Sequence, residues 1–197
     1  AQLCQNDLQQ NPAEAGPRLK TMSQTITETL KSVRGISQNL RTDSLYQYGF
    51  VPSLEEFLEK MRLQNPSMTF ELKTSGLEDV TLEKLLKEHE QLHLFRIIQE
   101  AMRNAIKHSQ AKMVQVVISV AQLDNNLKLT IQILDNGQGL KWGILSASGA
   151  MPSDDELVKK GHLGIVGLKE RVKELGGEFH LANQPNQTGG TQMTIQL

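Results

Sequence analysis

Apolar residues recur every three or four positions between residues 94 and 111, and this spacing predicts one helix with a buried face. Its polar residues form a second stripe, whose members lie about one helical turn apart. An acid and an amide one turn apart suit a hard divalent cation and its waters, and the lysine and histidine beyond them suit phosphate oxygens. Taken alone, the polar stripe is better explained as the solvated face of an ordinary amphipathic helix. The apolar stripe contains Leu94, Ile97, Ile98, Ala101, Ala105 and Ile106, and the polar stripe contains Glu100, Asn104, Lys107, His108 and Ala111.

The first 41 residues also have a helical pattern. Residues 2–10 are expected to end one helix, Asn11-Pro12 breaks it, and residues 14–41 form a second helix with a narrow apolar seam. Such a seam is buried best in a hairpin or in a bundle with a second copy of the chain. We therefore favour a dimerisation region over a single helix packed on its own domain.

A shorter helix is predicted from Pro52 to about Leu63, after a connector at residues 45–51. This assignment places Glu55 and Glu56 in the first turn, where the helix dipole favours acids.

Strands and helices alternate in the rest of the chain. The runs at residues 113–120 and 127–134 alternate apolar and polar residues around a polar turn, so they should pair as a hairpin. Thr81 can cap a helix that continues, with a break, into the helix of residues 94–111. Residues 141–160 lack periodicity and predict a loop, with a short helix from Ser153. The remaining predicted elements are a strand at residues 68–74, a helix at residues 168–175 closed by Gly176-Gly177, and a final hairpin of residues 178–182 and 191–197.

Three glycine-rich stretches separate these elements. Asp135-Asn136-Gly137-Gln138-Gly139 follows a predicted buried strand, and a hairpin turn explains it as well as a binding loop does. In a binding loop, Asp135 would accept a hydrogen bond from an exocyclic amine such as that of adenine, and the two glycines would let the backbone approach the ring. Residues 161–167 precede a helix, so their backbone N–H groups could form an anion site. Gly189-Gly190-Thr191 is a weak signal by itself.

Composition narrows the possible functions. The 197 residues are 38% apolar and only 4% aromatic, so a core must be built from aliphatic side chains and methionine. A net charge of −1 argues against a general nucleic-acid binder. The single cysteine, Cys4, excludes an internal disulfide and suits a reducing cytosol. The sequence has no apolar run of membrane-spanning length and no signal-peptide pattern.

The order of four motifs is more specific than any one of them, and it resembles the ATP-binding domain of sensor histidine kinases. This domain is shared by the superfamily of gyrase-type topoisomerases, mismatch-repair ATPases and certain heat-shock chaperones. Within the kinases, residues 95–108 and 164–172 look most like the subgroup of nitrate sensors and membrane-fluidity thermosensors. The resemblance covers residues 45–197 well and residues 1–44 more loosely. The motifs are Glu100-x3-Asn104-x2-Lys107-His108, Asp135-x-Gly137-x-Gly139, Gly164-x2-Gly167-Leu168 and Gly189-Gly190-Thr191.

The resemblance implies an α+β fold, a two-layer α/β sandwich with a mixed sheet and helices on one face, preceded by a helical-hairpin remnant. Residues 1–44 would be the C-terminal part of a dimerisation and phosphoacceptor region, and residues 45–197 the catalytic ATP-binding domain. The cofactors implied are ATP and Mg²⁺, with residues 141–160 as a lid over the nucleotide.

The same resemblance implies a role for each matching residue. Asn104 would coordinate Mg²⁺, and Glu100 would hold a metal-bound water or act as general base toward the acceptor histidine. Asp135 would bind the adenine amine. The remaining implied contacts are Lys107 and His108 with phosphates, Gly137 and Gly139 with the adenine pocket, Thr191 nearby through water, and Gly164, Gly167 and Leu168 with the lid and phosphates.

The phosphorylated histidine of the family lies in a dimerisation helix and is followed by Asp or Glu. Here only His89-Glu90 has this pattern, and we interpret it as a solvated pair just before the helix of residues 94–111. The acceptor is therefore expected upstream of Ala1. This chain would then bind ATP but would not phosphorylate itself in cis.

The resemblance predicts γ-phosphoryl transfer to a histidine and relay to an aspartate of a response regulator, with catalysis by positioning and charge neutralisation. The implied partners are a second copy of the chain and a receiver domain, in the cytoplasm, with a membrane anchor only in the full-length protein. The alternatives are an ATP-driven conformational module and a non-catalytic dimerisation or docking module. The intact Glu100, Asn104 and Asp135 argue against the last.

Overall fold

The structure is a computed structural model that describes residues 43–77, 80–123, 126–140, 153–159, 162–184 and 189–197. The chain divides into two units after Asp43, and the unit from Ser44 to Leu197 contains nearly all of the described residues. The predicted helices before residue 42, and residues 141–152 of the predicted loop, lie outside the described residues.

Helix α1 spans Asp43–Tyr48, where a connector was predicted, and helix α2 spans Phe50–Gln64. The start of α2 was predicted two residues too late because Pro52 was taken as its first residue. Pro52 is instead the third residue of α2, where a backbone N–H would also lack an intrahelical acceptor. Gly49 separates the two helices with a φ of +86°, a conformation that glycine adopts without strain.

The N-terminus of α2 is capped by a residue from another element. Since α2 begins at Phe50, Glu55 and Glu56 do not lie in its first turn, which contains no acidic residue. Glu83 supplies the missing carboxylate, and its Oε1 accepts a hydrogen bond from the Phe50 N–H at 2.9 Å. Burial raises the pKa of the Glu83 carboxyl, but hydrogen bonds from the backbone N–H groups of Phe50 and Glu83 and from Thr81 leave that pKa below its ordinary value.

Helix α4 extends further toward its N-terminus than was predicted. After the short helix α3 (Leu82–Leu85) and a break, α4 spans Glu88–His108. Glu90 accepts a hydrogen bond from the Lys87 N–H at 2.7 Å, so the His89-Glu90 pair lies inside the first turn of α4 and Glu90 helps to cap it.

Helix α4 ends three residues earlier than was predicted, so Ala111 does not belong to its polar stripe. The Ser109 hydroxyl donates to the Ala105 carbonyl at 2.7 Å. Gln110 then adopts a φ of +55°, which is incompatible with a continuing helix.

The five strands form one mixed sheet in the order β1-β2-β3-β5-β4, and each predicted strand is present with ends that differ by no more than three residues. Strand β1 pairs parallel to β2, and all other neighbours are antiparallel, including the predicted β2–β3 and β4–β5 hairpins. The strands are β1 (Thr69–Ser75), β2 (Met113–Leu123), β3 (Asn126–Asp135), β4 (Glu178–Asn183) and β5 (Thr191–Gln196).

One face of this sheet is buried under helices. Helix α2 packs on β1, α4 packs on β3, and helix α6 (Leu163–Glu174) packs on β4, which confirms the two-layer sandwich with helices on one face. The predicted apolar stripe of α4 lies in the core, with Ile106 partly buried beside it. The ring of Phe95 makes edge contacts with Phe50 and Phe57 at centroid distances of 5.9 and 6.1 Å.

The short helix predicted from Ser153 is α5 (Asp154–Lys159). The Ser153 hydroxyl accepts from the Glu156 N–H and the Glu156 carboxylate accepts from the Ser153 N–H, which is a reciprocal N-terminal cap. By contrast, α6 starts at Leu163 and not at Leu168, so Gly164 and Gly167 lie inside the helix. Its predicted end at Gly176-Gly177 is confirmed, since Gly176 has a φ of +73°.

None of the described helices combines the length and the apolar character needed to cross a bilayer.

The Glu83 cap predicts a pH-dependent contribution to stability. We expect Glu83→Ala to lower the free energy of unfolding by about 1 kcal/mol or less at pH 7, because the carboxylate is mostly exposed. Since the folded-state pKa of Glu83 is below the ordinary 4.5, this difference is fully present above about pH 4.5 and disappears as the pH falls through the folded-state value. Urea unfolding between pH 3 and pH 7 measures it.

Glu55→Ala is the matched control, because Glu55 is an exposed acid within α2 that does not cap the N-terminus of this helix. A Glu83→Ala difference that persists unchanged at low pH would contradict the capping interpretation.

Candidate functional site

Asp135 is a polar residue on the buried face of the sheet. Along β3 the buried positions alternate through Leu129, Ile131 and Ile133, and the next position in that series is Asp135, only 6% exposed. Its Oδ1 accepts a hydrogen bond from the Gly137 N–H at 2.9 Å. The structure gives Oδ2 no hydrogen-bond partner among the described residues, so this oxygen can accept a bond from a ligand.

The segment after Asp135 lies directly on the turn between α4 and β2. The Asn136 Oδ1 accepts from the backbone N–H groups of Lys112 and Met113 at 2.9 and 2.8 Å. A Cβ on Gly137 would stand 2.1 Å from the Ser109 carbonyl oxygen. Packing within the protein therefore accounts for Gly137, and it does not line the cavity described below.

Gly139 occupies a different position. Its φ is +72°, and a Cβ there would lie 2.9 Å from the Asn183 Oδ1. The same Asn183 oxygen accepts the Leu140 N–H at 2.7 Å, which ties the end of the segment to the end of β4.

Only part of the polar stripe of α4 lines a cavity. Asn104 and His108 line a cavity, whereas Lys107 is exposed and does not. Glu100, one turn before Asn104, also lies outside the lining and pairs with Arg103 at 2.8 Å. An exposed ion pair of this kind contributes only about 0–1 kcal/mol, so the Glu100 carboxylate can exchange partners readily.

The first turn of α6 lies opposite Asn104. A Cβ added to Gly164 would be 3.7 Å from the Asn104 Nδ2, an ordinary contact distance, and nothing lies within 4 Å of a Cβ on Gly167. Gly164 and Leu168 line the cavity and Gly167 does not. The space between α4 and α6 at Asn104 thus remains open because residue 164 has no side chain.

These elements enclose a cavity of about 470 Å³, within the range of small-molecule sites. Helix α4 forms one wall and α6 the other. The strand register places the floor on the buried face, because Asp135 is opposite Thr191, Ile133 opposite Met193, and Met193 opposite Leu181.

Most of the residues singled out in the sequence come together here. Those that line the cavity are Asn104, His108, Asp135, Gly139, Gly164, Leu168 and Thr191, and those outside its lining are Glu100, Lys107, Gly137 and Gly167. The roles given to these residues remain predictions.

The sequence reasoning did not identify the apolar part of the lining as site residues. The alternation of apolar and polar residues along the strands could have indicated the floor of the cavity, since Ile133, Met193 and Leu181 follow the same alternation as the core. No local pattern indicates Gln138, whose Nε2 donates to the His108 carbonyl oxygen at 2.9 Å. The additional lining residues are Ala101, Ala105, Ser109, Ile133, Gln138, Leu140, His162, Ile165, Phe179, Leu181 and Met193.

A family model described as "Histidine kinase-, DNA gyrase B-, and HSP90-like ATPase" matches residues 89–197, which include every residue of this cavity. The chain belongs to this ATPase family. Its ATP-binding domain is of the type found in sensor histidine kinases, as the names of several relatives show.

The signal transduction histidine-protein kinase/phosphatase DegS of Brevibacillus brevis is 30% identical over 187 residues, covering 93% of this chain and 41% of the relative. The nitrate/nitrite sensor protein NarX of Escherichia coli strain K12 is 33% identical over 112 residues, covering 57% of this chain and 16% of the relative. The chain thus spans less than half the length of these two curated relatives. The NarX match agrees with the nitrate-sensor subgroup named above.

Solved structures of histidine kinases share the fold. The Acinetobacter baumannii histidine kinase AdeS aligns with a TM-score of 0.51 at 18% identity, covering 90% of this chain and 83% of that one. The blue-light activated histidine kinase of Erythrobacter litoralis EL346 aligns with a TM-score of 0.55 at 17% identity, covering 85% and 49%.

Because there is space for a methyl group at Gly164, a substitution there should weaken ligand binding without unfolding the protein. Gly164→Ala should fold, because its methyl group meets Asn104 at a normal contact distance. We expect it to weaken Mg-ATP binding about tenfold, or about 1.4 kcal/mol, because the methyl group occupies space beside the Asn104 amide. Isothermal calorimetry with Mg-ATP measures this effect.

Glu170→Ala is the matched control in the same helix, since Glu170 is exposed and lies outside the cavity lining. It should bind Mg-ATP like the wild type. Equal affinities of the two variants would show that the space at Gly164 does not serve the ligand.

Proposed function

We propose that residues 45–197 bind Mg-ATP in this cavity and transfer its γ-phosphoryl group to a histidine, for relay to an aspartate of a response regulator. One observation carries the proposal: Asp135 from the end of β3 and Asn104 from α4, which are far apart in the sequence, line the same cavity. Relatives that are named histidine kinases support transfer of the phosphoryl group to a histidine.

Asp135 would select adenine. Its Oδ1 is held by the Gly137 N–H, so its Oδ2 would accept a hydrogen bond from the exocyclic amine of adenine. A guanine would present a carbonyl oxygen at that position, and two acceptors would then face each other. The apolar floor of Ile133 and Met193 suits the flat face of a purine, and Thr191 would bond nearby through water.

Asn104 and the space beside Gly164 would accommodate the triphosphate and Mg²⁺. An amide oxygen is a suitable ligand for this hard cation, and Glu100, one turn away, would hold one of its waters. Mg²⁺, when bound, would neutralise charge on the phosphate oxygens. His108, with Lys107 beyond the cavity wall, would contact phosphates, and Gly164, Gly167 and Leu168 would flank them and the lid of residues 141–160.

Glu100 would act as general base toward the acceptor histidine. In the structure its carboxylate pairs with Arg103 at the surface. Because that pair is weak, an approaching imidazole N–H could replace the guanidinium at small energetic cost. Positioning the acceptor beside the γ-phosphoryl group would supply most of the remaining rate.

The acceptor histidine and the partners complete the proposal. Residues 1–44 would be the end of a helical dimerisation and phosphoacceptor region, with the acceptor on a helix upstream. A second copy of the chain and a receiver domain would be the partners, in the cytoplasm. Binding and hydrolysis of ATP without transfer to any histidine would instead favour a conformational ATPase of the gyrase or chaperone type.

Replacing Asp135 predicts a change of base preference. In Asp135→Asn the side-chain oxygen would keep the Gly137 N–H, so the new NH₂ group would face the ligand as a donor. We expect ATP affinity to fall roughly thirtyfold, about 2 kcal/mol, while GTP affinity stays constant or rises. Competition of ATP and GTP against a fluorescent nucleotide measures both.

Each nucleotide is the control for the other, because damage to the fold lowers both affinities. Unchanged ATP affinity in Asp135→Asn would refute the adenine contact.

Replacing Glu100 should separate binding from transfer. We expect Glu100→Gln to bind Mg-ATP within about twofold of the wild type but to transfer phosphate at least about 100-fold more slowly, as for loss of a general base. The substrate is radiolabelled ATP with a separate helical hairpin that carries a His-Asp or His-Glu pair. Glu88→Gln, an exposed acid on the first turn of the same helix, is the control and should transfer normally. Full transfer activity of Glu100→Gln would show that Glu100 is not the general base.

A further inference from the structure

Gln138 bonds twice to the end of α4. Its backbone N–H donates to the Ser109 carbonyl oxygen at 2.8 Å, and its side-chain Nε2 donates to the His108 carbonyl oxygen at 2.9 Å. His108 is the last residue of α4, and the carbonyl groups of a last helical turn have no partners within their own helix. Gln138 therefore caps the C-terminus of α4 from a different part of the chain.

This cap connects the two ends of the cavity by a short path. Asp135 accepts the Gly137 N–H, Gly137 packs on Ser109, and Gln138 binds the His108 carbonyl. Asn104 lies one helical turn before His108 on the same rigid helix. The contacts of Gln138 thus join the helix that carries Asn104 to the segment that follows Asp135.

We propose that Gln138 is a positioning residue whose side-chain amide, by capping α4, holds Asn104 and Asp135 at the separation that one nucleotide spans. This inference rests on the proposed function, because it concerns a ligand that contacts both residues. Asn136 holds the other side of the same turn through the Lys112 and Met113 N–H groups, so the Gln138 side chain supplies the bond to the helix itself.

The chemistry of the cap predicts the order of its variants. A lysine at position 138 keeps a donor and places a positive charge at the negative end of the helix dipole, which is favourable. A glutamate removes the donor and places a negative charge there, which is unfavourable. A leucine removes the donor without adding charge.

The experiment compares ATP, which would span both ends of the cavity, with adenosine, which would reach only Asp135. We expect Gln138→Glu to weaken ATP about fivefold, the size of losing one helix cap, and adenosine by less than about twofold. Because Gln138 lines the cavity, a charge at this position also acts directly on the triphosphate, so the uncharged Gln138→Leu is the deciding variant. It should give the same pattern as Gln138→Glu with a smaller ATP effect, and a Leu variant that binds ATP like the wild type would overturn the positioning role. Gln138→Lys should bind ATP at least as tightly as the wild type. Displacement of a fluorescent ATP analogue from the whole chain gives the affinity of each protein for both ligands.

Gln64→Glu is the matched control. Gln64 is the exposed last residue of α2, so the same substitution adds the same charge at a helix C-terminus on the β1 side of the sheet, away from the cavity. It should change neither affinity.

The outcomes separate the inference from the proposed function. A wild type that does not bind ATP overturns the proposed function, and the inference falls with it. If the wild type binds ATP and Gln138→Glu behaves like Gln64→Glu, only the positioning role is wrong. Equal losses for ATP and adenosine in the Glu and Leu variants, or a Lys variant as weak as the Glu variant, would also overturn it. If the Glu variant does not fold, the ATP and adenosine affinities of the Leu and Lys variants test the positioning role instead.

Discussion

The candidate site depends on one carboxylate that ends an otherwise aliphatic row of buried residues on β3. The buried positions of β3 are aliphatic until Asp135, the last residue of the strand. Burial of a carboxylate costs free energy unless hydrogen bonds replace its water, and the Gly137 N–H supplies one such bond. The other oxygen has no hydrogen-bond partner among the described residues, and Asp135 lines the cavity. This arrangement retains an acceptor of fixed position and charge, whose hydrogen-bonding requirement a ligand with an amine can meet.

The glycines around this carboxylate serve two physical purposes. At Gly137, and at Gly190, whose Cβ would stand 2.2 Å from the Asp135 carbonyl oxygen, the missing side chain lets protein backbone pack against protein backbone. At Gly164 the surrounding space would admit a methyl group, and its absence keeps the region beside Asn104 open. Glycine therefore permits close backbone packing at Gly137 and Gly190, whereas at Gly164 it leaves space beside Asn104.

Sequence patterns predicted well the features that depend on periodicity. The apolar stripe of α4, the alternating strands and both hairpins follow from the burial of one face, which repeats along an element and so leaves a repeating signal. The start of α6 was misplaced because Gly164 and Gly167 suggest a loop locally, whereas packing against α4 holds them in a helix. The carboxylate of Glu83 in α3 bonds to the backbone of α2, and the amides of Asn136 and Gln138 bond to backbone groups between the end of α4 and the start of β2. Such contacts leave no periodic trace, so the sequence alone could not place them.

Helix α4 joins a packed half of the domain to the half that contains the cavity. Its N-terminal part is fixed by Phe95, whose ring contacts the aromatic residues of α2, and residues 101–108 contribute to the wall of the cavity. Asn104 lies nine residues beyond Phe95, or about 14 Å along a helix. Near the cavity, Ala101 and Ala105 are buried in the core, and the Gln138 side chain donates to the carbonyl oxygen of His108, the last residue of α4. The aromatic core and the wall of the cavity are therefore built on one helix that is held in place at both ends.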